Sequence, residues 1–125
     1  MSTAPTIRIS CLCAAWCTTC EAYRAVFAGV AARHPSLDFA WVDIEDEADA
    51  LGEEPDVRNF PTLLVDDGTT VHFLGTVLPH EGTLERLARE AAAGQVPRGV
   101  DEGVSRDPLA LARAIAALPP SRRRP

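Results

Sequence analysis

The sequence contains no lysine, so each of its twelve basic residues is an arginine. This absence excludes a catalytic lysine, whether it would act through a Schiff base or as a proton shuttle. Eighteen acidic residues outnumber the arginines and give a formal net charge of -6. Because phosphate binding depends on a basic surface, such an acidic chain is a poor candidate for a nucleic-acid-binding protein.

Long apolar runs are also missing, and the longest one is far shorter than a membrane span. Residues 1–13 lack the basic region and the long apolar region of a signal peptide. We therefore expect a cytoplasmic protein that does not act at a membrane, in a compartment where thiols stay reduced and structural disulfides are disfavoured. The 125 residues suffice for one domain with a hydrophobic core, and we expect a monomer.

The apolar pattern predicts strands and helices in the order β-α-β-α-β-β-α. The first strand–helix–strand unit requires a right-handed parallel crossover, and Asp67-Gly68 predicts a hairpin between the last two strands. We therefore predict an α/β fold with a mixed four-stranded sheet and helices on both faces. The predicted strands span residues 6–13, 37–44, 62–65 and 70–74, and the predicted helices span residues 17–34, 45–54 and 81–93.

The composition changes after Gly94, which ends the third helix. Residues 1–94 are predicted to form the domain, and residues 95–106, which contain little apolar material, a linker. An additional C-terminal helix is predicted over residues 107–118, and because most of its faces are apolar we expect it to pack on the domain rather than dock a partner. The arginine-rich residues 119–125 are predicted to form a flexible basic tail.

All four cysteines lie within residues 11–20. Cys17 and Cys20 are three residues apart at the start of a predicted helix, a spacing that places both on one helical face within reach of a disulfide. The positive end of the helix dipole favours a thiolate at Cys17, whereas Cys20 lies one turn deeper. The spacing therefore indicates one thiol that attacks a disulfide and one that resolves the mixed disulfide.

Two short motifs resemble those of the thioredoxin superfamily. Trp16-Cys17-Thr18-Thr19-Cys20 follows a predicted strand, and Phe60-Pro61-Thr62 precedes a later one. Together they resemble the superfamily over residues 6–93, with the elements in the same order. The resemblance implies a thioredoxin-like fold and a disulfide oxidoreductase with a redox-active CXXC centre.

The resemblance also implies a set of site residues. In the superfamily a cis-proline faces the two cysteines, so Phe60–Pro61 is expected to be a cis peptide bond whose backbone pairs with an extended substrate. Gly75, placed after the last strand, matches a glycine that leaves room for substrate. The implied catalytic residues are Cys17 and Cys20, and the implied substrate-binding residues are Trp16, Thr18, Thr19, Phe60, Pro61, Thr62 and Gly75.

The sequence departs from the superfamily at several of these places. It starts at the strand that leads to the cysteines, without the first strand and helix of full-length thioredoxins. Cys11 stands where thioredoxins usually carry a buried aspartate, and Trp41 is nearest to the position of the lysine that pairs with it. Thr18-Thr19 replaces the usual Gly-Pro between the cysteines. A reduction potential therefore does not transfer from the family to this chain.

Cys11 and Cys13 are candidate accessory thiols; they are two residues apart on a predicted strand, so their side chains share one face. If that face meets the first helix, Cys11 lies near Cys20 and is an accessory thiol that exchanges with the Cys17–Cys20 pair or accepts its proton. Alternatively, both are small buried hydrophobic residues, as free cysteines commonly are. A third interpretation, a zinc or iron–sulfur site with four thiolates, fits the spacing less well.

These observations predict a thiol–disulfide oxidoreductase that acts on protein or small disulfides and needs no cofactor. The resemblance implies a reducing partner, either a thioredoxin-reductase-like flavoenzyme or glutathione, although no basic residue beside the CXXC motif is evident for the glutathione carboxylates. The alternative is a binding or chaperone-like module that keeps the fold and holds a client beside Pro61. A thiol-rich metal-binding protein is the third interpretation.

Overall fold

The computed structural model describes residues 6–52, 55–57 and 59–125. Its elements follow in the order β1-α1-β2-α2-β3-β4-α3-β5-α4, and a short 3₁₀ helix comes last. The strands are β1 (Arg8–Cys13), β2 (Asp38–Asp43), β3 (Thr62–Asp66), β4 (Val71–Thr76) and β5 (Gly99–Val100). The helices are α1 (Thr18–Arg33), α2 (Ala48–Leu51), α3 (Glu81–Ala92), α4 (Pro108–Ala117) and the 3₁₀ helix Pro120–Arg122.

The strands form one mixed sheet in the order β2-β1-β3-β4-β5. β1 runs parallel to β2 and antiparallel to β3, and β3 runs antiparallel to β4. The predicted α/β fold is confirmed, with one difference: β5 adds a fifth strand, parallel to β4, within the predicted linker. β5 has two exposed residues, so it carries none of the apolar alternation by which a strand is recognised in a sequence.

The sheet buries a hydrophobic cluster on each face, because successive side chains of a strand point to opposite sides. Ile9, Cys11 and Cys13 of β1 lie in the cluster that α1 and α3 cover. Leu12 lies in the other cluster, together with residues of α2 and α4. The odd-numbered positions of β1 thus direct two of the four cysteines toward the first helix.

α1 is tied to α3 at the end farthest from the cysteines. The helix is followed by His34 and Pro35, and the residue before a proline avoids the α region. Arg33 bonds Glu81 and Glu85 of α3, each at 2.8 Å, and the ring of His34 contacts Glu85 as well. Hydrogen bonds from His34 and then from Arg33 lower the pKa of the Glu85 carboxyl.

Asp67 organises the turn between β3 and β4. Its Oδ1 accepts hydrogen bonds from the backbone amides of Thr69 at 2.9 Å and Thr70 at 2.7 Å. Gly68 has a φ of 90°, a conformation that side-chain-bearing residues rarely adopt. The predicted Asp67-Gly68 turn therefore forms, with four residues between the strands.

Replacing Asp67 with asparagine is expected to destabilise the protein at neutral pH. Burial raises the pKa of this carboxyl, but hydrogen bonds from Thr69, Thr70 and His72 outweigh that effect and lower the pKa to about 2. A carboxyl whose pKa is lowered on folding stabilises the protein above its unfolded value of 3.8, and this contribution is lost as the pH falls through about 2. Melting temperatures of the two proteins should therefore differ at pH 7 and converge in acid. A difference that does not change with pH would contradict this assignment.

The segments after α3 lie against the domain. α4 buries Leu111, Ala112 and Ile115 in the second cluster, over β3 and β4. The C-terminal tail contacts the sheet: the carbonyl of Arg123 accepts the amide of Trp41 at 3.0 Å. β2 is an edge strand, and its exposed amides need such partners. The tail therefore covers the edge of the sheet beside β2.

The second helix is shorter than predicted. α2 spans Ala48–Leu51 and is followed by Gly52, whose φ is 76°. Two residues of the predicted 45–54 helix, Glu53 and Glu54, lie outside the described residues. In the part of the chain that the structure describes, the helices are too short or too polar to cross a bilayer.

Candidate functional site

The cysteine segment connects the end of β1 to the start of α1. Cys17 is the N-cap residue of α1; its backbone is extended, and its amide donates to the carbonyl of Ala14 at 3.0 Å. Its thiol is free and half-buried, whereas the side chain of Cys20 in the first turn is 2% exposed. One sulfur is therefore accessible to a partner, and the other lies beneath it.

The structure joins Cys20 to Cys13 in a disulfide, with their Cα atoms 5.9 Å apart. In this state the predicted Cys17–Cys20 pair is not bonded, and Cys17 is a free thiol. Cys13 is the last residue of β1 and faces α1, while Cys20 faces the sheet from the first turn of that helix. Helical spacing identifies Cys17 as a neighbour of Cys20, but the contact between strand and helix is a tertiary one and leaves no signal in the spacing.

Cys11 lies beside this disulfide. We call the three buried residues Cys11, Cys13 and Cys20 the sulfur cluster. Its Sγ is 3.5 Å from the Sγ of Cys13, which carries no hydrogen in the disulfide, so the thiol of Cys11 is the donor. Burial raises the pKa of this thiol, which keeps it protonated. Of the two strand cysteines, Cys13 is thus the one that bonds Cys20, and Cys11 lies behind it. Cys11 is paired in register with Trp41 of β2, so both departures from the family pattern lie side by side.

Trp16 joins the loops that surround Cys17. Its indole is 68% exposed and stands edge-on to Phe60, with the ring centroids 5.7 Å apart. Its Nε1 donates to Oε1 of Glu45, at 2.5 Å, in the loop after β2. The loop after β1, the loop after β2 and the segment before β3 therefore meet at one end of the strands. A cavity of about 380 Å³ lies there, lined by Trp16, Glu45 and Phe60 among others.

The segment before β3 brings the second motif, Phe60-Pro61-Thr62, to the same end of the strands. The Phe60–Pro61 peptide bond is cis, and Pro61 is buried. The carbonyl of Pro61 accepts the amide of Val77 at 3.1 Å, and the hydroxyl of Thr62 donates to the carbonyl of Asn59 at 2.7 Å. The side chain of Thr62 is buried, so it supports the loop from within, whereas half-buried Phe60 lines the cavity.

The remaining residues of the predicted site are placed differently. Thr18 and Thr19, the first residues of α1, are exposed beside Cys17. Gly75 lies within β4, opposite Leu63, rather than after the strand. A Cβ atom at Gly75 would be 3.4 Å from the ring of Phe73, so the space beside this glycine holds an aromatic ring.

Arginines near Cys20 are a feature that the sequence did not reveal. Arg24, Arg122 and Arg124 line a cavity of about 370 Å³ together with Cys20 and several acidic residues. Arg24 donates to the carbonyl of Arg124 at 3.3 Å, and Arg122 bonds Glu47 at 2.7 Å. The position of Arg24, four residues after Cys20 on a helix, could have been recognised from spacing. The tail arginines reach this place only because the tail folds back.

The described residues hold no group of three or more histidine, cysteine, aspartate or glutamate side chains arranged to bind a metal ion. Two of the four sulfurs are bonded to each other, which removes them as thiolate ligands in this state. The arrangement is instead that of a half-buried free thiol next to a buried disulfide, which is suited to thiol–disulfide exchange.

Comparisons with known proteins concern the family and the fold. A family model described as Thioredoxin matches residues 6–88. A solved structure, described as that of a malarial protein, has 17% sequence identity to this chain and a TM-score of 0.56; the match covers 68% of this chain and 96% of the other. At that identity the likeness concerns the fold alone. No curated protein matches the chain.

Proposed function

The chain belongs to the thioredoxin family, and on that premise we propose that it is a thiol–disulfide oxidoreductase in which Cys17 attacks and Cys20 resolves. The observation that carries the proposal is the position of Cys17. Cys17 is the N-cap residue of a 16-residue helix, its thiol is free and half-buried, and the buried Cys20 lies in the first turn of the same helix.

The reaction consists of two exchanges. The thiolate of Cys17 attacks one sulfur of a substrate disulfide, forms a mixed disulfide and releases the other substrate sulfur as a thiolate. The thiolate of Cys20 then attacks the Sγ of Cys17 and releases the rest of the substrate reduced, leaving a Cys17–Cys20 disulfide. Cys20 is available for this step once its bond to Cys13 has been opened.

The neighbouring loops supply the substrate platform in this proposal. Trp16 and Phe60 form an aromatic wall next to Cys17, and Thr18 and Thr19 are exposed beside it. An extended segment of a disulfide-containing protein would lie along this wall, close to the backbone around Pro61. Thr62 positions the loop, and we assign no substrate contact to Gly75.

Regeneration needs a dithiol or thiol reductant, and we propose a flavoenzyme of the thioredoxin-reductase kind or glutathione, in a cytoplasmic setting. Arg24 and Arg124 line the cavity at Cys20 and favour a small anionic thiol such as glutathione. Asp43 and Asp46 line the same cavity, and their negative charges disfavour the binding of an anionic thiol. Rates of regeneration with each reductant, measured on the oxidised protein, would decide between them.

Replacing Cys20 with serine is expected to trap the first intermediate. With the resolving thiol gone, reduced protein mixed with excess insulin should accumulate a mixed disulfide through Cys17, at least roughly ten-fold above wild type. Non-reducing electrophoresis and intact mass measure the adduct. The matched Cys17→Ser variant should form none.

The alternative function, a binding or chaperone-like module, makes the opposite prediction. A wild-type protein as inert toward insulin as Cys17→Ser, together with the absence of an adduct in Cys20→Ser, would contradict the oxidoreductase and favour the module.

A further inference from the structure

Cys20 can form a disulfide with either of two cysteines, Cys13 or Cys17. It is bonded to Cys13 in this structure, and it lies one helical turn from Cys17. The two alternative bonds would place the disulfide at different depths in the protein. The Cys13–Cys20 bond is buried, since its two side chains are 1% and 2% exposed, whereas a bond to Cys17 would include a half-buried sulfur at the substrate platform.

We infer that Cys13 is a third redox-active cysteine, which takes over the disulfide from the Cys17–Cys20 pair after substrate has been reduced. This inference rests on the proposed function. The first oxidised state of the reaction centre is then the Cys17–Cys20 disulfide, and the second is the buried Cys13–Cys20 disulfide of this structure. The two states interconvert through the sulfur of Cys20.

The exchange is balanced without an external oxidant or reductant. The thiol of Cys13 loses its proton, and the thiolate attacks the Sγ of Cys20. The Cys13–Cys20 bond forms, the Cys17–Cys20 bond breaks, and Cys17 leaves as a thiolate that can take up one proton. The domain stays oxidised by two electrons throughout, so the step is an internal thiol–disulfide exchange.

Cys11 supports the buried thiolate that this step requires. An uncompensated anion in the core is costly, and the thiol of Cys11, 3.5 Å from Cys13 Sγ, is placed to donate a hydrogen bond to it. Because burial raises its pKa, Cys11 keeps the proton that it donates. Cys11 is therefore a positioning residue.

The consequence is an oxidised protein that still presents a free thiol. With the disulfide moved into the core, Cys17 is available at the platform while the oxidising equivalent is shielded from reductants in solution. Reduction of the buried bond then proceeds through Cys17, which attacks Cys20 and brings the disulfide back to the accessible position.

Alkylation of the folded, oxidised protein measures this directly. Reduced protein is treated with one equivalent of diamide and then with iodoacetamide, and the intact mass is recorded. Wild type should gain one carbamidomethyl group, at Cys17, because Cys11 is buried. Cys13→Ala should gain none, because its Cys17 is held in the bond to Cys20. Ser10→Ala, a control at a buried position of the same strand outside the sulfur cluster, should behave as wild type.

Fragment mapping of wild type keeps the test independent of whether Cys13→Ala folds. Trypsin leaves all four cysteines on residues 9–24, and chymotrypsin then cleaves after Trp16. A Cys13–Cys20 bond links the two resulting fragments, whereas a Cys17–Cys20 bond stays within one. We expect mainly linked fragments after acid quenching of the oxidised protein.

The rate of formation separates exchange from a static disulfide. If the buried bond forms through Cys17, it should appear at least roughly ten-fold more slowly in Cys17→Ser than in wild type, since access controls thiol oxidation. Equal rates, or wild-type fragments that never become linked, overturn the role of Cys13 and leave the proposed function intact. Failure of the proposed function is recognised separately, by the absence of an insulin adduct in Cys20→Ser.

Discussion

Replacing Cys17 with serine is expected to lower the rate of insulin disulfide reduction by at least roughly 10³-fold. A serine hydroxyl stays protonated at neutral pH and is a poor nucleophile toward sulfur, whereas thiolate is the attacking species in exchange. The rate is measured as insulin precipitation with dithiothreitol as the final reductant, after subtracting the reaction without protein. Ser10→Ala serves as the control and should retain the wild-type rate.

The same substitution should leave the fold nearly unchanged. Cys17 is not bonded in this structure and its side chain is half-buried, so serine removes neither the buried disulfide nor a core residue. A change in unfolding free energy below about 1 kcal/mol is expected, since larger losses come from cavities or broken networks. A variant that is fully folded and keeps more than a tenth of the wild-type rate would exclude Cys17 as the nucleophile.

Replacing Ile115 with alanine is expected to cost about 2–5 kcal/mol of unfolding free energy, the range for large-to-small changes in a packed core. Ile115 lies on the buried face of α4 with no exposed surface, packed in the cluster over β3 and β4. Since domains of this kind are stabilised by about 5–15 kcal/mol in total, the loss is a large part of the whole.

Arg113→Ala provides the matched comparison, because Arg113 is exposed on the same helix and its replacement should change stability by no more than about 0.5 kcal/mol. Both variants are unfolded with urea in the same oxidised state, so the disulfide contributes equally. If Ile115→Ala proved as stable as Arg113→Ala, α4 would not be part of the folded domain in solution.

Local signals in the sequence were enough for the element order and several boundaries. Asp107 and Pro108 predicted the start of α4, and in the structure the Oδ1 of Asp107 accepts the amide of Ala110 at 3.1 Å. The Asp67-Gly68 turn and the end of α1 before Pro35 were predicted in the same way. Each of these features depends on residues within one or two turns of each other, so the sequence carries it directly.

Packing between distant segments decided the rest. β5 exists because residues 99–100 lie beside β4, and the C-terminal tail lies against the sheet because the edge of β2 offers it a hydrogen-bond partner. Neither pairing leaves a pattern in the segment concerned. The tail arginines Arg122 and Arg124 line the cavity at Cys20 for the same reason.

The sulfur chemistry shows both contributions in one decapeptide. The sequence by itself placed four thiols within ten residues, two on a strand face and two at a helix start, and thereby predicted thiol–disulfide exchange. Which sulfur bonds Cys20 was decided only when β1 packed against α1, because helical spacing favours Cys17 and strand-to-helix contact favours Cys13. Bond formation between sulfurs depends on a separation of a few ångströms in space, and a separation along the chain does not determine it.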